Sequence, residues 1–132
     1  MTLDHVSLGV AHMARAKPFY DAALAPLGIR PIMPVEFGGA LVACGYGAAE
    51  RPHFWIGLPI NGAPASAGNG VHVCFAAGTR AMVDAFYAAA LASGATDDGP
   101  PGLRPMYHPN YYGAFVRDLD GNKIEACCHL AE

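Results

Sequence analysis

Between residues 3 and 10, LDHVSLGV alternates: Val6, Leu8 and Val10 fall on one side of an extended chain, and His5, Ser7 and Gly9 on the other. That period of two belongs to a half-buried strand. GVHVCFAA at 70 to 77 repeats the phrase, with Val73, Phe75 and Ala77 opposite His72, Cys74 and Ala76. An offset of 67 positions lays residues 5–25 over 72–92 with nine identities in 21 positions, among them His5 with His72, Phe19 with Phe86, Tyr20 with Tyr87 and Leu24 with Leu91. The match runs from a strand-like stretch into a helix-like one, so a folding unit has been duplicated. Each copy predicts a strand followed by a helix. Pro18 fits the first helical turn and Gly28 a stop in the first, while Thr79 reads as an N-cap and Gly94 as a stop in the second.

Shorter strand candidates follow each helix, at 40–46 and 53–58 in the first half and at 113–118 and 122–128 in the second. The last pair flanks Asp120-Gly121, a hairpin turn signal. PIMPVEF at 31–37 adds an irregular strand to the first half; its counterpart in the second is indistinct. The expectation is an α+β fold of two βαβββ modules, about 1–60 and 68–132, within one domain spanning 1–132. The Gly-, Pro- and Ala-rich segment 57–70 reads as the linker. Residues 97–113 read as a long loop and a candidate lid, because a loop of that length in a small domain usually serves a function.

Composition narrows the function. The chain is 53% hydrophobic and 14% charged, with net charge −3, which suits a compact soluble domain. Its eight Lys and Arg residues are scattered, so nucleic acid and anionic membranes are not expected partners. No apolar run approaches a membrane span and no secretory leader is evident, which points to the cytoplasm. Cys44, Cys74, Cys127 and Cys128 lie in apolar strand-like runs without a CxxC pair, and are read as reduced core or pocket residues.

The final strand supplies the chemistry. Its alternation sets Lys123, Glu125 and Cys127 against Ile124, Ala126 and Cys128, leaving Glu125 in mid-strand among apolar neighbours. Burying such a carboxylate is costly unless a cation or donor meets it. If the concave faces of the modules meet, His5, His72 and Glu125 converge from three strands, and two imidazoles with one carboxylate suit a divalent first-row metal. Against this stand an ordinary hydrogen-bonding role for each histidine and a repetition that merely preserves the duplication.

DHVSLGV followed by PFYDAALAPLG, then GVHVCFAA, then YYGAFVRDLDGNKIEACCH together resemble the vicinal oxygen chelate superfamily, which includes glyoxalase I, extradiol dioxygenases, fosfomycin-resistance enzymes, methylmalonyl-CoA epimerase and bleomycin-resistance proteins. The resemblance covers essentially the whole chain, with Leu119 where proline is common. It implies paired βαβββ modules in a cupped, mostly antiparallel sheet, with metal ligands near the centre of the cup at His5, His72 and Glu125. The metal would be Zn, Mn, Fe, Ni or Co. At the fourth ligand position the chain departs: aligning HFWIGL with NKIEAC places Trp55 opposite Glu125 in the repeat, and tryptophan cannot ligate.

Trp55 there argues against lactoylglutathione lyase activity, which calls for a carboxylate to move a proton. Fosfomycin-resistance enzymes are similar in their two histidines, glutamate, nearby tryptophan and a hydroxyl residue matched by Ser7. Their tyrosine, however, is replaced by Phe115, and the 97–113 loop holds no lysine. Glu125 and His108 are the candidate catalytic groups; Trp55, Ser7, Arg104, Tyr107, Tyr111 and Tyr112 are candidate substrate contacts. The resulting expectation is a metal-dependent enzyme for a small oxygen-bearing molecule, working as a homodimer. Two alternatives remain: a metal-free binding protein of the bleomycin-resistance kind, and a duplicated scaffold with vestigial ligands.

Overall fold

The computed structural model describes residues 2–132. Each half of the chain builds one sheet with a helix against one face. In the first, β1 (Val6–Gly9), β2 (Arg30–Phe37), β3 (Ala40–Gly47) and β4 (Phe54–Gly57) lie in the order β1-β4-β3-β2. In the second, β5 (His72–Ala76), β6 (Thr96–Asp97), β7 (Gly102–Leu103), β8 (Tyr112–Arg117) and β9 (Lys123–Cys128) lie in the order β5-β9-β8-β6, with β7 also paired to β8. In each sheet the first strand runs parallel to the last, and the remaining pairings are antiparallel. The repeated module read from the sequence is therefore a repeated topology.

The strand alternation holds. Val10, Phe75, Ile124, Ala126 and Cys128 are buried in one core with Val6, Leu8 and Val73 packed against it, while His5, Ser7, His72 and Cys74 are exposed on the other side. Helices α1 (Met13–Leu24) and α2 (Arg80–Ala92) cover the core face and contribute Phe19, Tyr20, Val83 and Phe86. Thr79 caps α2 as expected, its hydroxyl accepting from Met82 N at 3.1 Å. Gly28 ends the turn after α1 at φ 75°, where a side chain would be strained.

Two expectations need correction. Pro18 lies inside α1 rather than in its first turn, because the helix starts at Met13. Its N-cap, His12, makes no side-chain cap bond, so the sequence carries no start signal there. Residues 97–113 are not a free lid. Phe115 N donates to Gly99 O, Asp98 N to Phe115 O and Arg104 N to Tyr111 O, making this segment a broken counterpart of β2. The irregularity expected of 31–37 is real: the β2–β3 register shifts between Pro31 and Met33 and again between Val35 and Glu36, consistent with prolines that cannot donate to a ladder.

Among the described residues no strand of one sheet pairs with a strand of the other, yet their free edges, β1 and β5, face each other. A cavity of about 440 Å³ is lined by Val6 and Phe54 from one module and by Val73 and Phe75 from the other. At the opposite end of β1, Asn122 Nδ2 donates to Gly9 O at 2.9 Å, and Ala11 N donates to Asp120 Oδ1 at 2.9 Å. Asp118, 5% exposed, organises this end. It accepts from the Tyr20 hydroxyl at 2.5 Å, from Asn122 N at 2.8 Å, from Asn122 Nδ2 at 3.0 Å and from Asp120 N at 2.9 Å. Removing its carboxylate orphans several buried donors at once, so Asp118→Ala is expected to cost about 2–4 kcal/mol. Asp98→Ala, at a partly exposed pair with Arg117, should cost under about 1 kcal/mol. Urea unfolding of both variants checks the contrast, and equal losses would refute it.

Candidate functional site

Strand register fixes what faces the cup. Ser7 pairs with Trp55 across β1 and β4, as Cys74 pairs with Glu125 across β5 and β9. One strand further in, Gly45 pairs with Trp55 and Phe115 with Glu125. Trp55 is therefore the structural counterpart of Glu125. Its ring lies across Gly45, where an added Cβ would fall 2.8 Å from the indole Cζ2 and 2.9 Å from Pro52 Cβ. His5, Ser7, Trp55, Leu58 and Ile60 line a cavity of about 390 Å³ in this half of the cup. The linker closes one side, with Ala65 and Pro59 stacked over Gly9.

The other half is polar at its centre. Glu125 is 1% exposed. Its Oε1 lies 3.1 Å from His72 Nε2, and its Oε2 accepts from the Tyr111 hydroxyl. Gly113 leaves room beneath, since a Cβ there would sit 3.0 Å from Glu125 Oε2. Burial first, and then the bond to Glu125, hold the Tyr111 phenol far above its usual range, so it stays a proton donor. Beside the carboxylate, Cys74 Sγ lies 3.3 Å from Cys127 Sγ. Burial first, then the negative charge of Glu125, push the Cys74 thiol up. Cys127 Sγ is also 3.5 Å from His129 Nε2, and His129 Nδ1 is 2.7 Å from His108 Nε2. Phe115 carries two cations near its ring, Lys123 Nζ at 5.0 Å and the Arg104 guanidinium carbon at 5.6 Å.

The candidates taken from the sequence are only partly gathered. His72 and Glu125 touch; His5, just before the facing edge strand β1, has its Nδ1 2.6 Å from Asp4 Oδ1. Tyr111 reaches the carboxylate, and Tyr107, 60% exposed, packs edge-on against Tyr111. Arg104 sits over Phe115 but gives its hydrogen bonds to Pro100 O and Leu103 O. His108 stacks on His129. Tyr112 is a correction: it points to the helix side, its hydroxyl donating to Asp84 Oδ1 at 2.6 Å under the Arg80 cation. It opens β8 one residue after Tyr111, and adjacent residues of an extended chain take opposite faces. Sequence reading left Cys74 and Cys127 as core or pocket residues without a role in the site, and gave none to His129. The signal for the first two was present, because Cys74 has the phase of His72 and Cys127 the phase of Glu125.

The donor types of His5, His72 and Glu125 fit a divalent metal, and two of the three already meet. Among the described residues, however, the group of three donors whose ligand atoms all lie within 4.8 Å of one another is Cys74, Glu125 and Cys127. His5 is outside that group and bonded to Asp4.

A family model described as Glyoxalase/Bleomycin resistance protein/Dioxygenase superfamily matches residues 2–126. The chain belongs to that superfamily. It is similar to the crystal structure of a glyoxalase/bleomycin resistance protein from Albidiferax ferrireducens T118, with 39% identity, 98% of this chain and 100% of that one covered, and a TM-score of 0.84. A glyoxalase/bleomycin resistance protein/dioxygenase family enzyme from Burkholderia phytofirmans PsJN shares the fold at 19% identity, with 98% and 100% covered and a TM-score of 0.72. TioX from Micromonospora sp. ML1 shares it at 20% identity, with 97% and 96% covered and a TM-score of 0.63. No curated protein matches significantly. The superfamily's cupped pair of modules is thus present, with an indole where its symmetry would set a second carboxylate.

Trp55 is the sole tryptophan, which makes its seat on Gly45 measurable. Gly45→Ala is expected to displace the indole toward solvent, red-shift its emission and cost about 1–3 kcal/mol through overpacking. An unchanged emission maximum together with unchanged stability would contradict this placement.

Proposed function

We propose that the protein is a divalent-metal-dependent enzyme acting on a small oxygen-bearing molecule held in the cup. One observation carries the reading: Glu125, a carboxylate 1% exposed in mid-strand, is held beside the imidazole of His72 on the cup face. Burying that charge is worthwhile where a cation is to be bound. His72 and Glu125 would hold the ion, with His5 as third ligand. Zn, Mn, Fe, Ni and Co all accept such a set, and a metal bound there supplies Lewis acidity to a substrate oxygen.

The remaining residues bind and orient. Tyr111 fixes the carboxylate by donating to Oε2. Trp55 and the linker residues Leu58 and Ile60 line one side with apolar surface, and Ser7 offers a hydroxyl at the junction of the two halves. Arg104 and Lys123 place positive charge beside Phe115, suited to a substrate with an anionic group. His108, paired with His129, is the candidate for moving a proton, since Trp55 stands where a second carboxylate would. We also propose a homodimer. Met33, Val35 and Phe37 leave apolar surface on the β2–β3 hairpin, with Phe37 81% exposed, and such surface suits burial against a second copy. Four free thiols suit a reducing compartment such as the cytoplasm.

A second reading has its own support. Glu125 already has His72 and Tyr111 as partners, so the carboxylate can persist without metal, and Trp55 with Tyr107 and Tyr111 can stack on an aromatic ligand. Elemental analysis of protein prepared without chelators, and again after reconstitution, separates the two. The enzyme reading expects close to one metal per chain, weakened about tenfold or more in Glu125→Ala and in His5→Ala. Wild type that takes up no metal, but whose Trp55 fluorescence is quenched by an aromatic ligand, overturns it for metal-free binding.

A further inference from the structure

Three clusters stand out beside the His72–Glu125 pair: the apolar hairpin tip around Phe37, the stacked His108–His129 pair and the Cys74–Cys127 thiols, of which only the thiols have no part in the function argued above. The thiols are the best built. They stand on neighbouring parallel strands, since Cys74 pairs with Glu125 and Ala76 with Cys127, so all three side chains leave the sheet on the cup face. Cys127 is 5% exposed and Glu125 1%, whereas Cys74 is open to the cup, which gives an ion a way in.

We propose that Cys74, Cys127 and Glu125 form a binding site for a thiophilic d10 cation of the zinc class. Their ligand atoms lie within 4.8 Å of one another, and the sulfurs are 3.3 Å apart. Two thiolates on a tetrahedral zinc with bonds of about 2.3 Å stand roughly 3.8 Å apart. The pair therefore needs to separate by only about half an ångström. Two sulfurs and one carboxylate oxygen leave a fourth position open, the pattern of zinc sites that retain a water or substrate. Ligation is not a redox step: two S–H bonds break, two sulfur–metal bonds form, and both protons pass to solvent.

The site shares Glu125 with the His72 pair but needs no His5, so it goes beyond the metal reading above, and for Zn2+ the His5 and cysteine variants tell the two apart. Sharing one carboxylate makes the two uses competitive. A soft ion on the cysteines draws Glu125 from His72, and a harder ion such as Mn2+ has no reason to prefer sulfur.

The test uses full-length protein, reduced with a phosphine and stripped of metal, then titrated with Co2+ and Zn2+. Wild type is expected to show a near-ultraviolet thiolate-to-cobalt charge-transfer band saturating at one ion per chain, and to lose reactivity of two thiols when Zn2+ is added. Cys74→Ser and Cys127→Ser should each lose the band and weaken Zn2+ binding about tenfold or more, while His5→Ala keeps both. Cys74 is exposed, so its serine variant should fold; circular dichroism matching wild type confirms that, and Cys74→Ala serves as the second variant. Cobalt bound without the charge-transfer band, or Zn2+ affinity unchanged in folded Cys74→Ser or Cys74→Ala, overturns the proposal. Binding lost in His5→Ala but kept in the cysteine variants overturns it as well, while sustaining the histidine reading. Binding lost in the cysteine variants and kept in His5→Ala does the reverse.

Discussion

Two sheets with no strand pairing between them among the described residues must be held edge to edge for a cup to exist, and the buried carboxylate of Asp118 sets that relation. It accepts from Tyr20 on the helix of the first module and from Asn122 in the hairpin of the second, and Asn122 in turn donates to Gly9 at the end of β1. One acidic side chain thus connects helix, hairpin and edge strand across the duplication. The apolar contact of Phe54 with Phe75, ring centroids 5.0 Å apart, closes the other end without directional bonds. The polar end fixes orientation and the apolar end supplies burial, a division expected because hydrogen bonds constrain geometry more sharply than dispersion does.

Duplication makes both halves of the cup alike in backbone, and side chains then make them different. At one symmetry-related position stands Trp55 over Gly45; at the other stands Glu125 beside Phe115. An indole needs the glycine, since any Cβ there would meet its ring. A buried carboxylate needs donors, and His72 and Tyr111 provide them. The cup therefore has a dry wall on one side and a charged, hydrogen-bonding centre on the other. Such asymmetry would suit the small ligand proposed above, apolar at one end and oxygen-bearing at the other.

The modular fold was legible in the sequence because its signals are local. Period two in 3–10 and 70–77, the Thr79 cap, the Gly28 stop and the Asp120-Gly121 turn each encode one element within a few residues. The start of α1 was not legible: His12 leaves no capping signal and Pro18 suggests a later start. Nor was the fate of 97–113, where the pairing partners lie in β8 rather than nearby. For the site, phase alone brought His72 and Glu125 to one face and matched Trp55 to Glu125 across the repeat. Phase could not tell that His5 would be paired with its neighbour Asp4, because that depends on a side-chain torsion.

The cysteines show where composition misleads. A thiol in an apolar strand reads as a small core residue, and Cys44 and Cys128 are that, fully buried among hydrophobic side chains. Cys74 and Cys127 occupy strands of the same character but the opposite parity. Strand parity therefore separates structural sulfur from sulfur available to the cup more surely than hydropathy does. The same parity places both thiols against Glu125, and a carboxylate closed in by two sulfurs, an imidazole and a phenol is an environment in which the choice of cation follows from which donors it can engage. On the two metal proposals, a soft ion would be held by sulfur and leave His5 idle, whereas a harder one would need both imidazoles and in taking them would tie the two modules together through the centre of the cup.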